Sequence, residues 1–310
     1  KRQVENKGVE LNVEGLVMNN DDFNWTVNAN IGINRNKLKK LNSNLDFQLG
    51  PSVGFSQAYP ILFMVDQPLG IYWGAETDGI YSSWDEANSS GIAGAAPGEI
   101  RYVNHHVDLD ESGQPLEIQE INFDDYVKIG DPNPDFTYSL SNNFTYKNWD
   151  ANILFTGQRG GDLFWVDSWQ LSGLQKTTNI LSSSFENSWV APLSYENGNY
   201  IYNESVGNLA SAGHPGAMIE TGSRAISSDR NIFDGSFIRL KNINIGYNFD
   251  LKNGKNMRVY LAGQNLIVWT DYPGYDPEVR TYTKNPQKRG VDFGTYPGTR
   301  SFLMGLKFNY

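Results

Sequence analysis

The chain ends on Phe302, Met304, Leu306, Phe308 and Tyr310, which share one parity, with Gly305, Lys307 and Asn309 on the other. Period-two alternation gives a β-strand one greasy and one polar face. Such a strand, left on an open sheet edge, invites pairing with other chains, so it is expected to close against a further strand. That points to a barrel, and the remaining strands indicate which kind.

Phe23, Trp25, Val27, Ala29, Ile31 and Ile33 alternate with Asn24, Thr26, Asn28, Asn30, Gly32 and Asn34. Phe136, Tyr138, Leu140, Phe144 and Tyr146 alternate with Thr137, Ser139, Ser141, Asn143, Thr145 and Lys147, with one lapse at Asn142. Val9-Leu11-Val13, Trp149-Ala151-Ile153-Phe155, Ile243-Ile245-Tyr247-Phe249 and Met257-Val259-Leu261 repeat the pattern. Each is expected to run about ten residues, enough at a tilt near 45° to cover the ~25 Å apolar band of an outer membrane. The polar faces are mainly Asn, Ser, Thr and Gly. Soluble sheets carry more Lys and Glu outside, so a wet lumen suits these residues better.

Composition narrows the alternatives. A net charge of −10 argues against nucleic-acid binding, which needs clustered Lys and Arg. No cysteine is present, which excludes disulfides and thiolate metal sites. The longest purely apolar run, 61–65, is too short for a spanning helix, and the opening residues contain no apolar stretch of a signal peptide. A mean hydropathy of −0.49 suits a soluble protein, but also a membrane barrel whose strands average greasy and polar residues.

Short turns at 19–22, 147–148 and 251–255 separate long excursions at roughly 38–58, 75–134, 160–232 and 269–299. Tight turns on one side and long loops on the other are the pattern of outer-membrane barrels. With a hairpin around 61–65 and 69–73, about nine strands are expected. An odd count in a single-chain barrel implies part of a larger one. Trp25, Tyr146, Trp149, Tyr247, Phe249 and Tyr310 are placed as membrane-interface aromatics. Apolar parity slips between Ile238/Leu240 and Ile243/Ile245, which predicts a bulge, with Arg239 and Lys241 available to pair with acidic residues in the lumen.

Several blocks resemble the C-terminal third of SusC-like (SusC/RagA) TonB-dependent transporters of Bacteroidota. They are 67–74 with 78–81, Pro97-Gly98-Glu99-Ile100-Arg101-Tyr102, Ile129-Gly130-Asp131-Pro132-Asn133-Pro134-Asp135-Phe136-Thr137-Tyr138 and Gly235-Ser236-Phe237-Ile238-Arg239-Leu240-Lys241-Asn242-Ile243. Val259-Tyr260, Gln264-Asn265-Leu266 and 269–278 complete the set, in the family's order. The resemblance implies an all-β antiparallel transmembrane barrel of 22 strands. Residues 1–310 would supply about nine C-terminal strands, without the plug and the N-terminal strands. It also implies an outer-membrane importer of oligosaccharides or oligopeptides. Its partners would be the plug-bearing remainder of the receptor, a SusD-like surface lipoprotein as lid, the TonB complex and outer-membrane lipid. The opposing class is a soluble secreted β-rich carbohydrate-binding module, in which the aromatic strand faces form a dry core.

Within this frame, Trp84, Trp165, Trp169, Trp189 and Tyr195, with Tyr200 and Tyr202, are candidate substrate contacts, since aromatic faces stack on sugars. The alternative is that they fill a small core of the loops or pack against the partner lid. Asp108, Asp110, Ser112 and Gly113 fit positions 1, 3, 5 and 6 of an EF-type calcium loop, but Gln119 replaces the bidentate Glu at position 12. A solvated acidic turn is the preferred reading, with no cofactor. His105 and His106 would point to opposite faces of a strand, and His214 lies in a turn-like stretch. No catalytic set is assigned.

Overall fold

The structure is a computed structural model that describes residues 3–42, 45–54, 59–172, 179–203, 226–251, 254–279, 281–282 and 285–309. A seven-stranded antiparallel sheet dominates it, with neighbours in chain order. Its strands are β1 (Gln3–Asn19), β2 (Phe23–Lys40), β3 (Pro134–Tyr146), β4 (Trp149–Gly160), β5 (Phe237–Asp250), β6 (Asn256–Trp269) and β7 (Ser301–Asn309). Three short connections, 20–22, 147–148 and 251–255, lie at one end, and three long ones, 41–133, 161–236 and 270–300, at the other.

Register carries the sequence parity across the whole sheet. Ile31 faces Tyr138, Phe144 faces Ala151, Trp149 faces Tyr247, Ile245 faces Leu261, and Leu261 faces Met304. Directly opposed residues project to the same side, so these rows merge into one apolar face. It stays exposed: Val9 is 68%, Leu261 62% and Met304 70% accessible. A soluble sandwich would bury this surface under a second sheet, whereas the hydrophobic cores among the described residues are built from the loops. The polar lapse at Asn142, midway along its row, is met by its neighbour, whose Trp25 Nε1–H donates to Asn142 Oδ1 at 3.1 Å.

The hairpin expected in this sheet at 61–73 lies elsewhere, so the sheet has seven strands rather than nine. Ile61–Met64 and Ile71–Gly74 join Phe47–Leu49 and Val127–Gly130 in a separate four-stranded sheet. Ile61, Leu62 and Phe63 are all buried. A strand of the large sheet needs one wet face, whereas a continuous apolar run is a strand covered on both sides. The excursions expected at 38–58 and 75–134 are therefore one, with this hairpin inside it.

The three long connections form a layer of their own. Its main core unites Leu38 and Leu41 with Ile61, Phe63, Tyr72, Phe164, Trp169 and Val291, and so draws on all three connections. Asp162–Trp165 pairs antiparallel with Ile232–Asp234 and parallel with Val291–Asp292. Leu38 shares the parity of Asn36 and Asn34, the polar face of β2. The layer thus seats itself over the polar face, at the end away from the short turns.

One ion pair ties the last connection to the wall. The Arg239 side chain is only 4% exposed; Nη2 lies 2.5 Å from Asp276 Oδ1, and Nε lies 2.9 Å from Glu278 Oε2. Lys241 Nζ reaches the same Glu278 oxygen at 3.5 Å. Lys241 is skipped in the register against β4 and again against β6, which confirms the expected bulge. A second seam joins the first two connections, where Asp162 Oδ2 accepts the Asp131 N–H at 2.7 Å.

Replacing Arg239 by Ala strands the buried Asp276 carboxylate and leaves Glu278 to Lys241, and breaking such a buried pair costs about 3–5 kcal/mol. Backbone hydrogen exchange in 270–279 is expected to accelerate while that of β5 stays slow; equal protection in both proteins would show that the pair does not anchor the loop. Burial raises the Asp162 carboxyl above the usual carboxylate range. The folded form then holds this proton more tightly than the unfolded chain, so the contribution to stability is greatest at low pH and declines as pH rises through the raised value. In Asp162→Asn, which keeps an acceptor for Asp131, the fall of the thermal midpoint as pH rises above the ordinary carboxylate range should be shallower.

Candidate functional site

The polar face is a ladder of hydrogen-bonding groups, most of them uncharged. Asn152 Nδ2 on β4 donates to Asn143 Oδ1 and Ser141 Oγ on β3, at 2.8 and 3.0 Å. Asn242 Nδ2 on β5 donates to Asn152 Oδ1 at 3.2 Å. Nearer the short turns, Asn248 Nδ2 donates to Asp150 Oδ1 at 2.9 Å, and Arg258 Nε donates to the same oxygen at 2.9 Å. Arg258 reaches Asp150 by crossing over Gly246, where an added Cβ would lie 2.5 Å from its guanidinium. The Tyr260 ring similarly occupies the space over Gly305, its partner on β7. Amide ladders and shielded glycines of this kind suit a face that is wetted but closely built.

Where this face meets the loop layer lies a cavity of about 580 Å³, and beside it one of about 280 Å³. Asn34 and Asn36 of β2, Asn133, Gln287 and Arg289 contribute to the wall of the larger. Asn36 and Asn133 fix one another: Asn36 Nδ2 donates to Asn133 Oδ1 at 2.7 Å, while Asn36 Oδ1 accepts the Leu69 N–H at 2.6 Å. The Tyr72 hydroxyl, fully buried, donates to the Arg289 carbonyl at 2.9 Å and fixes the backbone under that side chain. Burial in the loop core pushes the Tyr72 phenol up, so it stays a donor.

The candidate aromatics separate into two groups. Trp165 and Trp169 are buried: Trp169 meets Phe164 edge-on at 5.5 Å, and Trp165 meets Phe233 at 5.6 Å and Tyr272 at 6.0 Å. The structure gives these two rings to the loop core, because the excursions are long enough to need one. Trp84 stays 59% exposed on the short helix Trp84–Ser89, which is capped by the Ser83 hydroxyl accepting the Glu86 N–H. Tyr195, Tyr200 and Tyr202 are exposed on the hairpin Leu193–Glu196/Asn199–Tyr202, and Trp189 is half-buried just before it. On the apolar face, Trp25, Tyr146, Trp149, Tyr247 and Phe249 stand beside the short turns. Trp149 meets Tyr247 at 4.9 Å, and Tyr247 meets Phe249 at 4.7 Å. Phe136 and Trp269 mark the other end of the same face. The ten steps along the strand from Phe136 to Tyr146 rise, at a tilt near 45°, about 24 Å. Tyr310 and His214 lie outside the described residues.

The acidic turn spends its carboxylates internally. Asp110 Oδ1 accepts from Ser112 N and Oγ and from Gln114 N at 2.7–2.9 Å, while Asp108 Oδ2 accepts the Glu120 N–H at 2.9 Å. Those bonds hold the exposed Asp110 carboxyl below its usual range, the Ser112 hydroxyl contributing most. Gln119 turns inward: its Oε1 accepts the Asp108 N–H at 2.6 Å. Among the described residues, no three His, Cys, Asp or Glu side chains gather as metal ligands would. His105 instead pairs its ring with Glu76 at 2.9 Å, and the backbone N–H groups of His105 and His106 both donate to the buried Asp125. Sequence reasoning missed Asp125, the Arg258–Asp150 pair and Arg289. Only the last left a readable signal, a Lys-Arg pair inside an acidic chain.

No family model matches the chain. Relatives do, along nearly its whole length. It is 32% identical over 321 residues to TonB-dependent receptor P3 of Formosa agariphila, covering 99% of this chain and 29% of that protein. It is 26% identical to TonB-dependent receptor SusC of Bacteroides thetaiotaomicron, over 99% of this chain and 26% of SusC. The fold matches the RagAB peptide transporter with a TM-score of 0.68 at 18% identity, over 99% of this chain and 29% of that one. The chain therefore spans under a third of the proteins it matches. Along nearly its whole length the sequence is thus similar to one portion of SusC-like TonB-dependent receptors, and the exposed apolar face and the one-sided loop layer agree with a place in the outer membrane.

Proposed function

We propose that the chain supplies barrel wall and outward loops to an outer-membrane importer of oligosaccharides, with oligopeptides as the second substrate class. The observation that carries this is the division of one sheet into an exposed apolar face and a hydrogen-bonded polar face, with every long connection at one end. Lipid takes the first face and a wet lumen the second. The aromatics beside the short turns sit at the membrane–water boundary. The edges of β1 and β7 pair with strands from the remainder of the receptor, because backbone groups in a bilayer have no water to satisfy them. That remainder carries the plug on which TonB pulls, and a SusD-like lipoprotein covers the loop layer as a lid.

In this reading substrate meets the loop layer first. Trp84 and the tyrosines of the 193–202 hairpin offer exposed ring faces, each able to stack on a sugar or on a peptide side chain. Asp108 and Asp110 close a structural turn, and calcium would have to displace the backbone hydrogen bonds they accept.

Purification from outer membranes in mild detergent, followed by denaturing mass spectrometry, is expected to recover this sequence with a plug-bearing portion and a SusD-like lipoprotein. It should stay in the membrane pellet through high-salt and carbonate washes. Release into buffer as a monomer with cooperative unfolding would overturn the importer reading and revive the soluble binding module. In the purified receptor, Trp84→Ala should weaken binding of the transported oligomer by about 1–2 kcal/mol without altering thermal stability, as titration calorimetry would show.

A further inference from the structure

The larger cavity has an unusual charge for this chain. The protein carries 35 acidic and 25 basic residues, yet among the described residues no Asp or Glu lines that cavity, whereas Lys288 and Arg289 both do. The sequence around them, Arg280-Thr281-Tyr282-Thr283-Lys284-Asn285-Pro286-Gln287-Lys288-Arg289, holds four cations and no anion. Among the described residues, neither Lys288 nor Arg289 has a carboxylate partner, in contrast to the buried Arg239 and to Arg258. Lys288 is held in place without being neutralised, its Nζ 4.2 Å from the centre of the Tyr282 ring. Arg289 borders both the larger and the smaller cavity, on a backbone pinned by the Tyr72 hydroxyl. The carboxylate of the smaller cavity, Glu278, is taken by Arg239.

We infer that this cavity is an anion-recognition subsite that takes the carboxylate or sulfate group of an acidic oligosaccharide. The inference rests on the importer reading and narrows its substrate class. An unpaired guanidinium fork matches the two oxygens of either group, and the neighbouring ammonium adds a second positive charge. The side-chain amides of Asn34 and Gln287 stand beside the pair, each offering a donor and an acceptor to sugar hydroxyls. A peptide main chain would instead seek the open edge of a ladder, and here the wall presents a sheet face whose backbone groups are already paired. Arg289 and Lys288 are therefore specificity-determining residues, and an acidic chain acquires one basic patch at the point where its cargo would pass.

The test uses the intact receptor with its lipoprotein, titrated calorimetrically with tetragalacturonate, a sulfated galactan tetrasaccharide, neutral cellotetraose and tetraglutamate. At least one acidic glycan is expected to bind more tightly than cellotetraose, with an affinity that falls as salt is raised. Arg289→Gln should weaken that glycan roughly tenfold or more, and Lys288→Gln less, with Arg289→Lys recovering part of the loss. Which acidic glycan responds assigns carboxylate or sulfate. Equal binding of cellotetraose and the acidic glycans, unchanged in Arg289→Gln, would overturn the subsite and leave the importer standing. Binding of tetraglutamate alone, lost in Arg289→Gln, would overturn the glycan assignment. If no acidic probe binds, the inference falls, while co-purification of the plug-bearing portion and the lipoprotein reports separately on the importer.

Discussion

Every other feature of this chain depends on the cross-strand registry that keeps one parity of seven strands on one side. A slip of a single residue would exchange the two faces of a strand. Lipid would then meet Asn152 and Asn242, and water would meet Ile153 and Ile243. Registry is defended by different means on the two faces. On the wet side the amide ladder and the Arg258–Asp150 pair accept only one alignment. On the dry side the defence is packing, assisted by the Trp25–Asn142 hydrogen bond. That bond satisfies a polar group which would otherwise face hydrocarbon alone, a cost of several kcal/mol.

The loop layer solves a different problem. Long connections over a wet face cannot use the membrane as a core, so they build their own from residues such as Phe164, Tyr72 and Val291. They rest on the wall through Leu38 and are tied to it by Arg239, both on the polar side. The bulge at Lys241 lets β5 present Arg239 to the loops while Ile243 and Ile245 below it return to the apolar face.

Much of this was legible in the sequence because a barrel strand writes its two environments residue by residue. Phe23 to Ile33 and Phe136 to Tyr146 could be read almost without error, and the parity slip after Leu240 announced its bulge. The hairpin at 61–73 was misassigned because a continuous apolar run looks the same whether a strand is buried by loops or lies in a wall. For Trp165 and Trp169 the sequence left stacking on substrate and packing in a loop core both open, for a related reason. Sequence shows that an excursion is long and aromatic, but not that three excursions pool their aromatics into one core. Arg239 was recognised as a lumenal cation, yet its partners Asp276 and Glu278 could be named only once the 270–300 connection was seen to fold back on β5.

The pooled core also sets an order of events. Leu38 and Val291 touch the same cluster although they lie some 250 residues apart in sequence, so neither gains anything from the contact until the strands between them have found their neighbours. Closing loops of that span carries an entropic cost before any contact offsets it. By this argument the shared core of the loop layer is expected to form after the sheet. The seven-stranded sheet acts as the template on which the three connections come together in one core.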